Sequence, residues 1–502
     1  MEASIRRPRR HMSRVREYLD SALNPNWRIM LLAIATWLLY EATTITTSVH
    51  NKSYFSHDIL SITYSGLCFT ALWVASRPRP PAVLLVALRR LPPFFTHRVW
   101  KHRIWRGIFI VSMVIGTWHT FNAQFADALR GNYYSDAIAF VHEDADLLRA
   151  GRNPFTADDA FWIAVKRWPS SLATPLFGSK AFGSNPYTYP SGKVMTRILQ
   201  QEVAHPNERD SHNFDPATVH NYPAGIIWLA LPLAWAGLPS IVWLNLAFFA
   251  LMIGIVASRA PRAMRLPLAV VLLANPALMI NVMTMNFDVC CLAFVIAAWN
   301  WMRHECSSAV LIGVACAVKQ LAWFIAPFYL LEVWRREGWQ AALRRSVWVA
   351  LGFLVPNLPF IIMSPSAWLH SIVVPLTDPM FPLGFGMITL GLSKAIPLGV
   401  PAMWTLLSLL LLLGFFVLQW RRRTITADGL LFALVPLWFA WRSPVNYLAL
   451  LPVLAAWIAV SHYAHNTQQG ATQQPSRTTF DHLLLGTNIA VAEEEQRELV
   501  SV

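Results

Sequence analysis

Runs of roughly 15 to 20 apolar residues recur along this chain, and arginine-rich loops separate many of them. No other feature constrains the fold as strongly. Lipid offers no partner to an open strand, whereas a helix satisfies its backbone hydrogen bonds internally. Apolar runs of this length therefore cross or enter a membrane as helices. An outer-membrane barrel would alternate apolar and polar residues, and no such alternation is present. Of the 502 residues 55% are apolar and only 14% charged, too few charges to coat a soluble protein of this size. The expected fold class is an all-α polytopic membrane protein with about 10 to 13 transmembrane helices.

A net charge of +14 would suit nucleic acid, but the basic residues sit in short loops beside apolar runs, as the positive-inside rule requires. No nucleic-acid partner is expected. Arg6, Arg7, Arg9, Arg10, Arg14 and Arg16 place the N-terminus in the cytoplasm, and no cleavable signal peptide is expected. Spans at 28–48 and 59–76 form a hairpin. Residues 77–106 then hold eight Arg/Lys and no Asp/Glu, the strongest cytoplasmic marker in the chain. Within them 82–88 is apolar, too short to span, and expected at the interface. A third span at 107–122 leads out to the loop 123–221.

Residues 222–257 are broken at Pro232 and Pro239 and followed by Arg259, Arg262 and Arg265. Parity favours one span at 240–257, with 222–237 re-entrant or against the outer face. Residues 266–283 return outward and 289–303 go back in. The stretch 309–333 has basic residues on both sides, which a pair of half-helices bent at Lys319–Gln320 explains. Residues 346–363 cross outward, 364–401 stay on the outer side, and 402–419 end inside at Arg421, Arg422 and Arg423. A hairpin of 428–441 and 445–461 turns at Arg442-Ser443-Pro444. Three regions result: a basic N-terminus plus added hairpin (1–106), a membrane core (107–461), and a polar cytoplasmic tail expected to be disordered (462–502). The plasma membrane is the expected site. The five cysteines lie in or beside apolar runs and indicate neither a disulfide framework nor a metal site.

The loop 123–221 carries eleven of the chain's 27 carboxylates and nine basic residues. Pro and Gly punctuate it, so short helices joined by turns are expected. On this topology Asp136, Asp288, Asp378 and Arg442 fall on the outer side, and Lys319 can reach it. A carboxylate beside a hydroxyl can take its proton. Lys or Arg stabilises the charge that develops on a departing phosphate. Each residue also has a plainer role. Asp136 could be solvated surface, Lys319 could snorkel, Arg442 could anchor a turn, and Asp288 could cap the helix behind it. His142, Glu143, Asp144 and Asp146 recur on a helix and read mainly as a polar face. His205, His212 and His220 lack metal-ligand spacing. The 23 tryptophans read as interfacial belt and packing. Walker, dinucleotide, zinc-protease and Gly-x-Ser-x-Gly motifs are absent from the sequence.

Several segments, taken in order, resemble one family. Asp136 followed by Gly151-Arg152-Asn153-Pro154-Phe155 is similar to the opening of GT-C superfamily glycosyltransferases that use polyprenol-phosphate sugars, family 87 most closely. Asn221-Tyr222-Pro223-Ala224-Gly225 resembles that family's Tyr-Pro-Pro segment, with Ala224 at the second Pro. Asn286-Phe287-Asp288 resembles its Gly-Gln/Asn-x-Asp turn, with Met285 in place of Gly. The stretch from Gly313 to Lys319 resembles its Gly-x-x-x-x-x-Lys segment. The resemblance spans 107–460 and implies a GT-C fold with a large first outer loop. It implies transfer of a hexose, mannose foremost, from a polyprenyl-phosphate donor to an acceptor hydroxyl, with inversion and without a nucleotide sugar. Asp136 would be the base, Lys319 and Arg442 would hold the donor phosphate, and His142, Glu143, Tyr222 and Asp288 would line the substrate. The implied partners are the lipid-linked donor and a glycolipid or glycan acceptor. No cofactor or metal is implied. The weighed alternatives are a transporter or flippase of lipid-linked sugars and a non-catalytic relative.

Overall fold

The computed structural model describes residues 26–49, 55–77, 126–157, 167–169, 174–178, 182–204, 221–273, 287–377, 380–422, 427–443 and 446–472, with isolated positions 107, 111, 114, 118, 278, 279 and 282. The basic N-terminus, the basic segment 78–106, most of the expected third span, His205, His212, His220, the turn 283–286, Asp378 and residues 473–502 lie outside the described residues.

The molecule is an all-α polytopic membrane protein. A hairpin of α1 (Asn26–Val49) and α2 (Phe55–Ala75) comes first. The loop contributes α3 (Asp136–Arg149) and α4 (Gly192–Ala204). Then follow α5 (Gly225–Trp235), α6 (Val242–Arg259), α7 (Arg262–Leu273), α8 (Asp288–Asn300), α9 (Glu305–Val318), α10 (Leu321–Glu337), α11 (Trp339–Met363) and α12 (Pro365–Thr377). Last come β1 (Leu383–Gly384), α13 (Ile388–Leu392), α14 (Pro401–Arg421), α15 (Gly429–Phe432), β2 (Arg442–Ser443), α16 (Asn446–Ala449) and α17 (Leu451–Thr472).

Among the described residues α6, α11 and α14 are long and apolar enough to cross a membrane, and α5, α8 and α9 are apolar but shorter. At 11 residues α5 is too short to span, as the re-entrant reading of 222–237 expects. Apolar helices here divide into two kinds. Helix α8 is buried nearly all round, so its uniform apolarity serves a protein interior. Helix α14 presents Leu406, Leu409, Leu410 and Leu413 outward, a surface that only lipid suits. The last helix runs on to Thr472, past the expected boundary at 461.

Two local rules position the site. Gly313 on α9 faces α11 so closely that an added Cβ would lie 2.2 Å from the Val349 carbonyl oxygen, and Gly352 makes the reciprocal approach. Small residues that let helix backbones touch replace the hydrophobic drive that lipid cannot give. Asn357, buried on α11, accepts hydrogen bonds from the Ala224 backbone N–H (2.9 Å) and Trp368 Nε1 (3.0 Å). A buried amide must be satisfied, so it ties the entry of α5 and helix α12 to α11.

The added hairpin is part of the bundle. Helices α1 and α2 both pack on α17, and α1 also contacts α7. Phe69 on α2 meets Trp438 edge to face, with ring centroids 5.4 Å apart. Arg77 pairs with buried Asp428 at 3.4 Å, which Arg422 also holds.

Candidate active site at one end of the bundle

Helix α9 stops at Val318, Lys319 takes an extended backbone (φ −157°, ψ 142°), and α10 opens at Leu321. The expected bend at Lys319–Gln320 is therefore where the sequence reading put it. Lys319 Nζ lies 2.7 Å from Asp288 Oδ1, and both side chains are buried. The rings of Tyr222 and Tyr447 lie 5.5 and 5.4 Å from Nζ, within cation–π range. Asp288 opens α8 behind Phe287, and its carboxylate is turned to the lysine. Tyr222 reaches Lys319 because its turn lies against the end of α9. A Cβ on Gly225 would come within 2.6 Å of the Ala317 carbonyl oxygen, and Gln320 Nε2 donates to the Asn221 carbonyl at 2.6 Å.

Asp136 is the first residue of α3 and is half-buried. Its Oδ1 accepts from the Ala137 backbone N–H at 2.8 Å, and its Oδ2 accepts from Thr174 Oγ1 at 2.7 Å. A carboxylate in the first helical turn also meets the positive end of the helix dipole. Thr174 begins a short extended piece of loop in which Leu176 bridges Met380 and the Phe381 N–H donates to the Pro175 carbonyl. Three residues on, β1 pairs in parallel with β2, Leu383 opposite Arg442 and Gly384 opposite Ser443. Arg442 Nη1 donates weakly to the Phe381 carbonyl at 3.5 Å. Phe177 and Tyr189 pack edge to face on Phe381, and Phe177 also on Trp441.

These two assemblies meet at Arg442. Tyr189 lies within electrostatic reach of both Asp136 and Arg442, and Tyr447 within reach of both Asp288 and Arg442. Burial pushes the Tyr189 phenol above its usual range, so it stays a neutral hydrogen-bonding group. Asp136, Arg442, Lys319, Asp288 and Tyr222 thus come to one end of the bundle. Thr174, Tyr189 and Tyr447 were not singled out in the sequence. Asp136 lies 38 positions from Thr174 and 53 from Tyr189, and Lys319 lies more than 100 from Tyr447, so no local spacing marks these contacts.

His142 and Glu143 are placed differently. The polar-face reading of α3 is corrected, because His142, Glu143 and Asp144 are all buried where α3 packs on α5. His142 Nδ1 accepts from the Tyr133 hydroxyl at 2.6 Å and from Arg167 Nη1 at 3.2 Å. Tyr133 in turn accepts from the Ile241 N–H, and Arg167 pairs with Asp146 at 3.0 Å. This network fixes the loop to the bundle. Burial first, then Arg167 and Arg149, push the His142 pKa down to about 3. The unfolded ring takes its proton near pH 6.5, so between those values the unfolded state holds more protons. Stability therefore falls as pH drops from about 6.5 toward 3. In His142→Asn the amide oxygen can replace Nδ1 as acceptor. We expect wild-type protein in detergent to lose melting temperature faster than this variant between about pH 6.5 and 4. Parallel curves would count against the assignment.

Helices with lipid-facing leucines, a broken helix at a buried ion pair and a polar site at one end define a membrane-embedded protein. Residues 220–444 match the model of Glycosyltransferase family 87, and that match indicates a glycosyltransferase. No curated protein and no solved structure matches it. The matched segment is narrower than the expected 107–460. It contains Tyr222, Asp288, Lys319 and Arg442, and Asp136 lies outside it.

Proposed function

We propose that the protein transfers a hexose, mannose foremost, from a polyprenyl-phosphate donor to an acceptor hydroxyl on the outer face of the plasma membrane. The observation that carries this reading is the tie from Asp136 through Thr174 to the strand pair bearing Arg442, with the Lys319–Asp288 pair close by at the Tyr447 ring. The opposite end supports the orientation. Helix α10 runs about 25 Å from Lys319 to an end rich in arginine. There Arg335 bonds the Gln419 and Arg422 carbonyls, Arg345 pairs with Glu337, and Arg77 and Arg422 hold Asp428. Such an end belongs in the cytoplasm.

In the proposed reaction Asp136 removes the proton of the acceptor hydroxyl. The freed oxygen attacks the anomeric carbon from the side opposite the phosphate. The bond from that carbon to the phosphate oxygen breaks, and polyprenyl phosphate leaves with the electron pair. Arg442 stabilises its charge. One carboxylate and in-line displacement give inversion, so no second nucleophilic carboxylate is needed. Lys319 adds positive potential, tempered by Asp288. Tyr222 borders the same pocket of charge. His142 and Glu143 support the loop from behind. No cofactor or metal enters this scheme.

Purified protein in liposomes is expected to transfer hexose from a synthetic polyprenyl-phosphate hexose, and not from a nucleotide sugar. Arg442→Ala should raise the donor KM by about 10- to 100-fold, the worth of a charged hydrogen bond. An unchanged KM would remove Arg442 from the donor site. The break at Lys319 is also a device of transporters, whose sites form at interrupted helices. That reading expects lipid-linked sugar to cross the bilayer with its phosphate bond intact.

A further inference from the structure

We infer that Thr174 is a positioning residue that sets the aim of Asp136 and its spacing to Arg442; the inference rests on Asp136 as base. Free rotation about Cα–Cβ would let a half-buried aspartate sample several directions. Here one oxygen is fixed by the Ala137 N–H at 2.8 Å and the other by Thr174 Oγ1 at 2.7 Å. The first bond comes from the adjacent residue and moves with α3. The second comes from a different part of the loop, and that part is stitched to the strand pair bearing Arg442. The stitches are the Leu176–Met380 bridge, the Phe381 N–H to Pro175 bond, and the Leu383–Arg442 pairing.

The strand pair itself has little freedom. A Cβ on Gly384 would lie 2.3 Å from the Ser443 carbonyl oxygen, and one on Gly386 would lie 2.0 Å from the Trp438 carbonyl oxygen. The Gly386 N–H donates to the buried Ser443 Oγ at 3.0 Å. The hydroxyl of Thr174 is therefore the link through which a rigid element carrying the cation orients the carboxylate. In a displacement reaction base and leaving-group cation must stand on opposite sides of one carbon, and a misplacement of about 1 Å can cost on the order of 100-fold. The Thr174 methyl group adds nothing to the link, so serine should replace it.

The test compares Thr174→Val and Thr174→Ser in the full-length protein with a synthetic polyprenyl-phosphate hexose. Valine keeps the shape and removes the donor. It should lower kcat by about 10- to 100-fold with donor KM and melting temperature unchanged. Serine should restore kcat to within about threefold of wild type, since it keeps the aligning hydroxyl. Wild-type kcat in Thr174→Val, with Asp136→Asn inactive, would overturn the role of Thr174 and leave the base intact. Full activity of Asp136→Asn would overturn the base reading and this inference with it. A raised KM and lowered melting temperature that serine does not rescue would reduce Thr174 to a packing residue and overturn the inference.

Discussion

Replacing Asp136 by Asn is expected to lower kcat for sugar transfer by about 100- to 10,000-fold, the usual contribution of a positioned general base. The fold should survive, because the amide oxygen can still accept from the Ala137 N–H or from Thr174. Donor binding should survive as well, because Arg442 is held by the strand pair and not by Asp136. The expected signature is a collapse of kcat with donor KM and melting temperature nearly unchanged. Transfer at the wild-type rate would remove Asp136 from the chemistry. The experiment carries particular weight because Asp136 lies outside the segment that matches Glycosyltransferase family 87.

The second large effect concerns the buried pair. Lys319→Met or Asp288→Asn alone leaves one charge buried without its partner, which costs about 3 to 5 kcal/mol. Each single variant should show a clear drop in melting temperature in detergent. The double variant should recover most of it, because a neutral pair of similar size has no charge to desolvate. Transfer should stay low in the double variant if Lys319 contributes potential to the donor phosphate. Single variants as stable as wild type would show that the pair is not held together in a dry interior. Recovery of both stability and transfer would confine the pair to a structural role.

The fold class was legible because lipid leaves an apolar run few choices. The same rule hid which apolar runs face lipid and which face protein, since α8 and α14 are about equally apolar and have opposite surroundings. The bend at Lys319 was legible from a lysine in the middle of an apolar stretch bounded by arginines. The role of Gly313 in the same motif was not. It depends on Gly352, on a helix that follows a turn and another helix. Asp136 could be singled out, but its partner Thr174 could not. Threonines are common in loops, and only the strand bridge brings this one to the carboxylate. The helix carrying His142 was misread as a solvated face because charged residues usually mark solvent. Here arginine and tyrosine from outside the helix hold His142 and Asp146 internally.

The contact between the first hairpin and the last helix sets an order of assembly. Arg77 emerges from the ribosome about 350 residues before Asp428, its ion-pair partner. At ~5 to 20 residues per second, that interval lasts roughly 20 to 70 s. Helices α1 and α2 pack extensively on each other, so they can pair before the rest of the bundle is made. The Arg77 end gains its ion-pair partner only when Asp428 is made, and the α17 contact comes later still. The hairpin thus gains its α7 contact well before its α17 contact. A chain interrupted before residue 428 would leave a membrane-inserted but unfinished bundle, open along the side that α17 closes.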